Sequence, residues 1–393
     1  MRLQKISIDG FKALKETVIE PGMVNVLIGA NGSGKSSLLE AIGLLSAAIN
    51  ERVDENSLSI RGVRLGSPTI YKSSFQHEER TPLKIEMSVD WENNNSSFNY
   101  RVNLQNPIED PEISWLYHSE TLSIDGEKKL TRGMKTKDLP IEVDKYRGLL
   151  SFYKNTSATA MIKDIFEIFN NYGIYTPSTD VLRGILAETQ QRKPIGLHGG
   201  RLAEAVEDLL QEDLFGTMDI YDLYDMLNWV EHIDIGKPNK EILPTGVPVP
   251  QRVIKFTDRF MNDKRNQLTS YDASEGALYV LFLLALIMHK DAPKMLAVDN
   301  FDQAMNPRLA RAVMKEFAKQ TLVNNRIAFI TTHNPLVLDG LDLTNDEIRL
   351  FTVERNRKGY TSIERVTIRE AFEHQDSLSR MWVSGRLGGV PNI

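Results

Sequence analysis

Gly29-Ala30-Asn31-Gly32-Ser33-Gly34-Lys35-Ser36 decides how this chain is read. The stretch satisfies the phosphate-binding pattern G-x-x-x-x-G-K-[ST] at every fixed position. Its flanks are those the chemistry requires. Met23-Val24-Asn25-Val26-Leu27-Ile28 has the character of a short buried strand, and residues 37–45 carry apolar side chains at helical spacing. Glycines between a strand and a helix let backbone N–H groups curl around a polyphosphate, and the helix N-terminus adds partial positive charge. The pattern assigns Lys35 to the β- and γ-phosphates and the Ser36 hydroxyl to Mg²⁺.

The rest of the sequence bounds the setting. A chain of 393 residues makes one large domain or two ordinary ones, and 41% apolar residues can fill a substantial core. Net charge is −6, so any contact with DNA needs a local basic patch. Cysteine is absent, which excludes a disulfide framework and a thiolate metal site. Residues 1–6 lack the apolar stretch of a signal peptide. The longest apolar run, 277–288, is too short to span a bilayer and suits a buried helix. A soluble cytoplasmic protein without a membrane partner is expected.

Residues 3–8 alternate like a half-buried strand, and 51–82 read as a long polar loop. Residues 83–91, 98–105 and 113–124 read as strands of an antiparallel meander, followed by a charged, exposed stretch at 126–145. Helical patterns occupy 161–172, 200–210 and 219–230, with a turn at Tyr175-Thr176-Pro177-Ser178 and a proline-bearing loop at 237–249. No heptad repeat is sustained. Alternating α and β patterns return towards the C-terminus: a helix over 278–289, a strand over 294–299, a helix over 307–319, a strand over 326–332, and a hairpin of 348–354 with 361–366. Three parts follow: 1–125, 126–260 and 261–393.

Four elements accompany the glycine loop. Met295-Leu296-Ala297-Val298-Asp299 is a Walker B strand, an apolar run that delivers one carboxylate to Mg²⁺. Ala273-Ser274-Glu275-Gly276 precedes the apolar helix. Ser274 there is either a plain N-cap or part of a second phosphate-binding turn. Thr331-Thr332-His333 ends the next strand, where an imidazole can hydrogen-bond a γ-phosphate. Asn306-Pro307 turns into a helix.

This order resembles the ABC-type ATPase heads of the SMC/RecF/OLD class. Ile6-Ser7-Ile8-Asp9-Gly10-Phe11-Lys12 resembles their N-terminal strand, and Ala273-Ser274-Glu275-Gly276 a degenerate form of their signature. Residues 175–178 and Gly199-Gly200-Arg201-Leu202 resemble segments of the insert in short members. The resemblance implies an α/β P-loop NTPase with an antiparallel β meander in its first lobe and a mostly helical insertion. It implies that Gly29, Asn31, Gly32, Ser33, Gly34, Lys35, Ser36, Ser37 and Lys12 hold ATP, and that Ser36 and Asp299 hold Mg²⁺. It further implies that two heads sandwich ATP, Ser274, Glu275 and Gly276 of one completing the other's site in a homodimer or higher even oligomer. A glutamine of the first lobe should reach nucleotide and metal, and Gln76 is the candidate.

One departure matters. Relatives carry a catalytic Glu directly after the Walker B Asp, and this chain carries Asn300. An amide can orient a water but not accept its proton. Slow hydrolysis is therefore expected, with Asp302 or His333 taking part of the role. A long coiled coil and an acidic Toprim-like nuclease centre are not read here. What remains resembles stand-alone ATPases of two-gene anti-phage defence systems, with a separately encoded nuclease or toxin. The alternatives are a RecF-like DNA repair ATPase and an ATP-locked scaffold. Lys128, Lys129, Arg132, Lys135 and Lys137 are the candidates for DNA contact, against the plainer reading of a solvated charged loop.

Overall fold

The strand that carries the glycine loop sits inside a six-stranded sheet. The computed structural model describes residues 2–78, 82–93, 96–132, 144–152, 159–211, 220–237, 251–367 and 376–389. The sheet order is Thr361–Arg365, Ile348–Arg355, Val24–Ile28, Ile327–Thr331, Met295–Val298 and Ile174–Tyr175, parallel except for Thr361–Arg365. Val24–Ile28 and Met295–Val298 are buried along their whole length, as strands covered on both faces must be. Val24, Val26 and Ile28 pack into one core with the helices Glu275–Met288 and Pro307–Val323. Leu27, Met295, Ala297 and Phe329 face a second core with the helix Lys35–Asn50.

That second core is closed by an antiparallel sheet in the order Thr17–Ile19, Arg2–Asp9, Lys84–Asn93, Ser96–Gln105, Leu116–Ile124, Glu127–Arg132. The expected meander is present, with one strand more. Glu127–Arg132 hides a strand under its charges: Lys128 is exposed and Lys129 pairs with Glu127, while Leu130 packs towards the core. Charged side chains suit such an edge strand. Arg132 is buried and donates to the carbonyls of Asp144 and Arg147, so its expected DNA contact is corrected to a structural role. Lys135 and Lys137 lie outside the described residues. The stretch 51–82 contains short helices, Glu55–Ser59 with an Asp54–Ser57 capping box and Pro68–Tyr71.

The insertion carries the helices Thr159–Phe169, Leu202–Gln211 and Ile220–Met226. It also holds strands that the helical reading missed. Val230–Gly236, Val253–Asp258 and Gln267–Thr269 form a three-stranded antiparallel sheet, and Ile174–Tyr175 joins the central sheet. The three-stranded sheet runs across position 260, from Val230 to Thr269.

Two helix ends show why the polar residues stand where they do. Ala277 to Met288 of the long helix are all buried, and its C-terminal end is closed by buried Arg326, which donates to the carbonyls of Ile287, His289, Ala292 and Pro293. Asn306 caps Pro307–Val323 by accepting from the Leu309 N–H, with Pro307 at a position that needs no donor.

Candidate nucleotide site

The glycine loop leaves the end of Val24–Ile28 and enters Lys35–Asn50, as the pattern requires. Two glycines are enforced by their surroundings. A Cβ on Gly29 would lie 2.1 Å from the Val353 carbonyl oxygen. Gly34 has φ +114°, and a Cβ there would lie 2.3 Å from Thr361 Oγ1. That hydroxyl donates to the Ser33 carbonyl at 2.9 Å, so the terminal hairpin pins the loop. Gly389 also packs against the Gly29 backbone. Asn31 and Gly32 are exposed at the loop tip.

Lys35 is buried, and its Nζ donates to the carbonyls of Gly29 at 2.7 Å and Ala30 at 2.9 Å. Burial lowers its pKa, partly offset by the Asp299 carboxylate. Ser36 Oγ donates to Asp299 Oδ2 at 3.0 Å, and the Thr331 hydroxyl donates to Asp299 Oδ1. The ends of three neighbouring strands thus converge on one carboxylate. Asn300 follows it with φ +58°, its N–H donated to Thr331 Oγ1 at 2.9 Å and its side chain exposed. Asp302 Oδ1 accepts from Thr332 Oγ1 at 2.7 Å and from the His333 N–H at 3.3 Å. His333 is exposed at the edge of the site. Desolvation and the Lys35 cation hold its pKa below the ordinary value, opposed by Asp302 and Asp299.

The residues fit a magnesium nucleotide. Ser33 Oγ is buried without a hydrogen-bond partner, a donor left for a phosphate oxygen in a loop shaped to admit one. Among the described residues no group of three or more His, Cys, Asp or Glu could hold a metal. Ser36 and Asp299 supply only part of a hard-cation shell, which suits Mg²⁺ completed by phosphate and water oxygens.

A cavity of about 540 Å³ adjoins Ser36 and Asp299, and Glu40, Arg64, Thr176, Glu188, Gln190 and His198 line it. Lys12 enters the site only through buried Glu40, with which it forms an ion pair; Arg64 Nε meets the other oxygen of Glu40 at 2.5 Å. Thr176 Oγ1 lies 3.1 Å from His198 Nδ1, and Glu188 accepts the N–H groups of His198 and Gly200. The sequence reading missed Glu40, Arg64, Glu188 and His198. The signal available for Thr176 was its turn after Ile174–Tyr175, which pairs with Ala297 and Val298 beside Asp299.

Gln76 is exposed and lines a separate cavity of about 860 Å³ together with Lys12, Phe75, His77, Arg357 and Lys358. It does not line the Ser36–Asp299 cavity, where the lining glutamine is Gln190, whose Nε2 donates to Ser59 Oγ at 2.8 Å. In the signature segment Ser274 is exposed and caps its helix, accepting from the Ala277 N–H at 3.3 Å. Glu275 accepts from the Thr179 hydroxyl, and Gly276 is half-buried beside Ala304. None of the three lines the cavity at Ser36.

The family model described as "AAA domain, putative AbiEii toxin, Type IV TA system" matches residues 24–137 and 176–339. The chain belongs to this AAA-domain family. Within it, the glycine loop, Walker B strand and Thr331-Thr332-His333 form an ABC-type ATPase head of the SMC/RecF class. The chain is 31% identical over 115 residues to the DNA replication and repair protein RecF of Renibacterium salmoninarum, covering 29% of this chain and 27% of that protein. It is 33% identical over 75 residues to the DNA double-strand break repair Rad50 ATPase of Saccharolobus solfataricus, covering 19% and 9%. These matches span about a quarter or less of the curated relatives' lengths. Two solved structures share the fold at 12% identity: an SMC head bound to the C-winged helix domain of ScpA (TM-score 0.55, 95% of this chain and 100% of that one), and a Pyrococcus furiosus Smc head with an extended coiled coil bound to the C-terminal domain of ScpA (TM-score 0.52, 95% and 98%). Among the described residues no helix is long and apolar enough to cross a membrane.

Proposed function

We propose that this AAA-domain protein binds ATP, hydrolyses it slowly, dimerises by sandwiching ATP, and acts as the sensor or scaffold subunit of an anti-phage defence system that controls a separately encoded nuclease or toxin. The observation that carries the reading is the Ser36–Asp299–Thr331 cluster with Asn300, not Glu, as the next residue. Ser36 and Asp299 hold Mg²⁺, which supplies charge stabilisation to the phosphates when bound. Lys35 exchanges the Gly29 and Ala30 carbonyls for phosphate oxygens. The Asn300 amide orients a water without taking its proton, while Asp302 fixes Thr332 and His333. Such a site holds nucleotide longer than it turns it over, as a switch requires.

Ser274 and Gly276 stand apart from their own chain's cavity, which supports a role on a second head. The toxin–antitoxin description of the family supports the defence role. The similarity to RecF favours a second reading, a DNA repair ATPase that binds DNA. Light scattering with and without Mg-ATP, alongside duplex binding at graded salt, separates the two. ATP-dependent dimers without DNA affinity support the first reading. Salt-sensitive DNA binding by the isolated protein supports the second. A protein that remains monomeric with ATP at every concentration contradicts the sandwich reading.

A further inference from the structure

A second cavity, of about 880 Å³, shares Gln190 and Leu197 with the cavity at Ser36 and Asp299 but is not lined by Ser36 or Asp299 themselves. Its volume is that of a small-molecule site. Two carboxylates and four cations line it: Glu51 and Asp54 against Arg52, Arg61, Arg192 and Lys193. The carboxylates are already engaged. Glu51 pairs with Arg147 at 3.2 Å, and Asp54 accepts the Ser57 N–H at 2.7 Å as a helix cap. Arg52 is likewise matched by Asp144. Arg61, Arg192 and Lys193 form no ion pair among the described residues.

The two arginines are held in place by neutral groups. Arg61 is 7% exposed; its Nε donates to Ser46 Oγ at 2.8 Å and its Nη1 to the Ser57 carbonyl at 2.7 Å. Burial and the neighbouring Arg192 cation together push its pKa down to about 10. Arg192 Nη1 donates to the carbonyls of Ile60 and Tyr172, and its guanidinium sits 5.4 Å from the Tyr175 ring centroid. Its Nη2 is buried without a partner. Asp54 only partly offsets the repulsion between the neighbouring Arg61 and Arg192 cations, and the unpartnered Arg192 N–H₂ group is a donor left for an anion. Guanidinium donors match phosphate oxygens bidentately. The remaining wall is rich in amides, among them Asn56, Asn170, Asn171 and Gln191, which can hydrogen-bond a sugar or base.

We propose that this cavity is a second anion site, separate from the glycine loop, that takes a diphosphate, with Arg61 and Arg192 on the phosphates and the amide wall on an attached nucleoside. The diphosphate group can come from inorganic pyrophosphate or from a nucleoside diphosphate, and ADP and pyrophosphate serve as probes of the two.

The test is calorimetric titration of each probe into the full chain carrying Lys35→Ala, which removes the P-loop cation. One diphosphate site is expected to survive in Lys35→Ala and to weaken at least 10-fold on adding Arg192→Gln, with Arg192→Lys recovering part of the loss. Tighter binding of ADP than of pyrophosphate assigns the nucleoside diphosphate; equal or weaker binding assigns the inorganic anion. With Lys35 intact, the single variant Arg192→Gln should still bind Mg-ATP at the glycine loop, which verifies its fold. Absence of binding of both probes to Lys35→Ala at millimolar concentration overturns the proposal without any Arg192 variant. Binding that Arg192→Gln leaves unchanged overturns it equally.

Discussion

Asn300→Glu tests the proposed cause of slow turnover. Asn300 follows Asp299 directly, its N–H is tied to Thr331 Oγ1, and its backbone lies at φ +58°. Asparagine tolerates that left-handed conformation, whereas a glutamate there is strained by about 1–2 kcal/mol. A positioned general base contributes about 10²–10⁴-fold to a rate. If the variant relieves its strain by withdrawing the carboxylate in the ground state, 1 kcal/mol takes back about 5-fold. With the low end of the base contribution and about 1 kcal/mol of strain, the net expectation is about 20-fold faster hydrolysis, with some stability lost. The assay is steady-state phosphate release at saturating Mg-ATP by wild type, Asn300→Glu and Asp302→Ala. Residual activity that vanishes in Asp302→Ala while Asn300→Glu changes little makes Asp302 the base, despite its bonds to Thr332 and His333. Fast wild-type hydrolysis untouched by either substitution refutes the assignment of this region.

Three further outcomes are expected. Gly276→Asp places a carboxylate where a second head's γ-phosphate is to approach, so light scattering should show ATP-dependent assembly lost while calorimetry shows ATP binding kept. His333 has a pKa below its ordinary 6.5, so its imidazole is neutral at pH 7 and protonates only as pH falls below that value; hydrolysis should decline on that acid limb, and His333→Gln should abolish the limb. Arg326→Met leaves the carbonyls at the end of the buried helix without a donor. At about 1–3 kcal/mol for each unsatisfied group, partly relieved by relaxation, urea denaturation should show a loss of about 3–5 kcal/mol.

Local order decided what could be read in advance. The glycine loop, Asp299 and Thr331-Thr332-His333 were legible because each is a strand, its C-terminal turn and the helix or loop that follows. Parallel strands align those turns at one edge of the sheet. Glu188 and His198 were not, because they line the Asp299 cavity from a segment tied to Thr176, which follows a two-residue strand, Ile174–Tyr175, too short to leave a periodic pattern. The place of Gln76 was not legible for a related reason: a glutamine in a loop carries no sign of which cavity the loop lines. Glu127–Arg132 was hidden by its own charges, since only Leu130 and Arg132 turn inward and Arg132 finds carbonyl partners that lie at 144 and 147 in sequence.

Gly29 to Ser36 and Asp299 are proposed to form one magnesium nucleotide site. Calorimetric titration of Mg-ATP into wild type and Lys35→Ala tests it most directly. Wild type should bind Mg-ATP at the glycine loop, and Lys35→Ala should lose this binding while keeping its far-ultraviolet circular dichroism. Unchanged ATP affinity in a folded Lys35→Ala protein would contradict it.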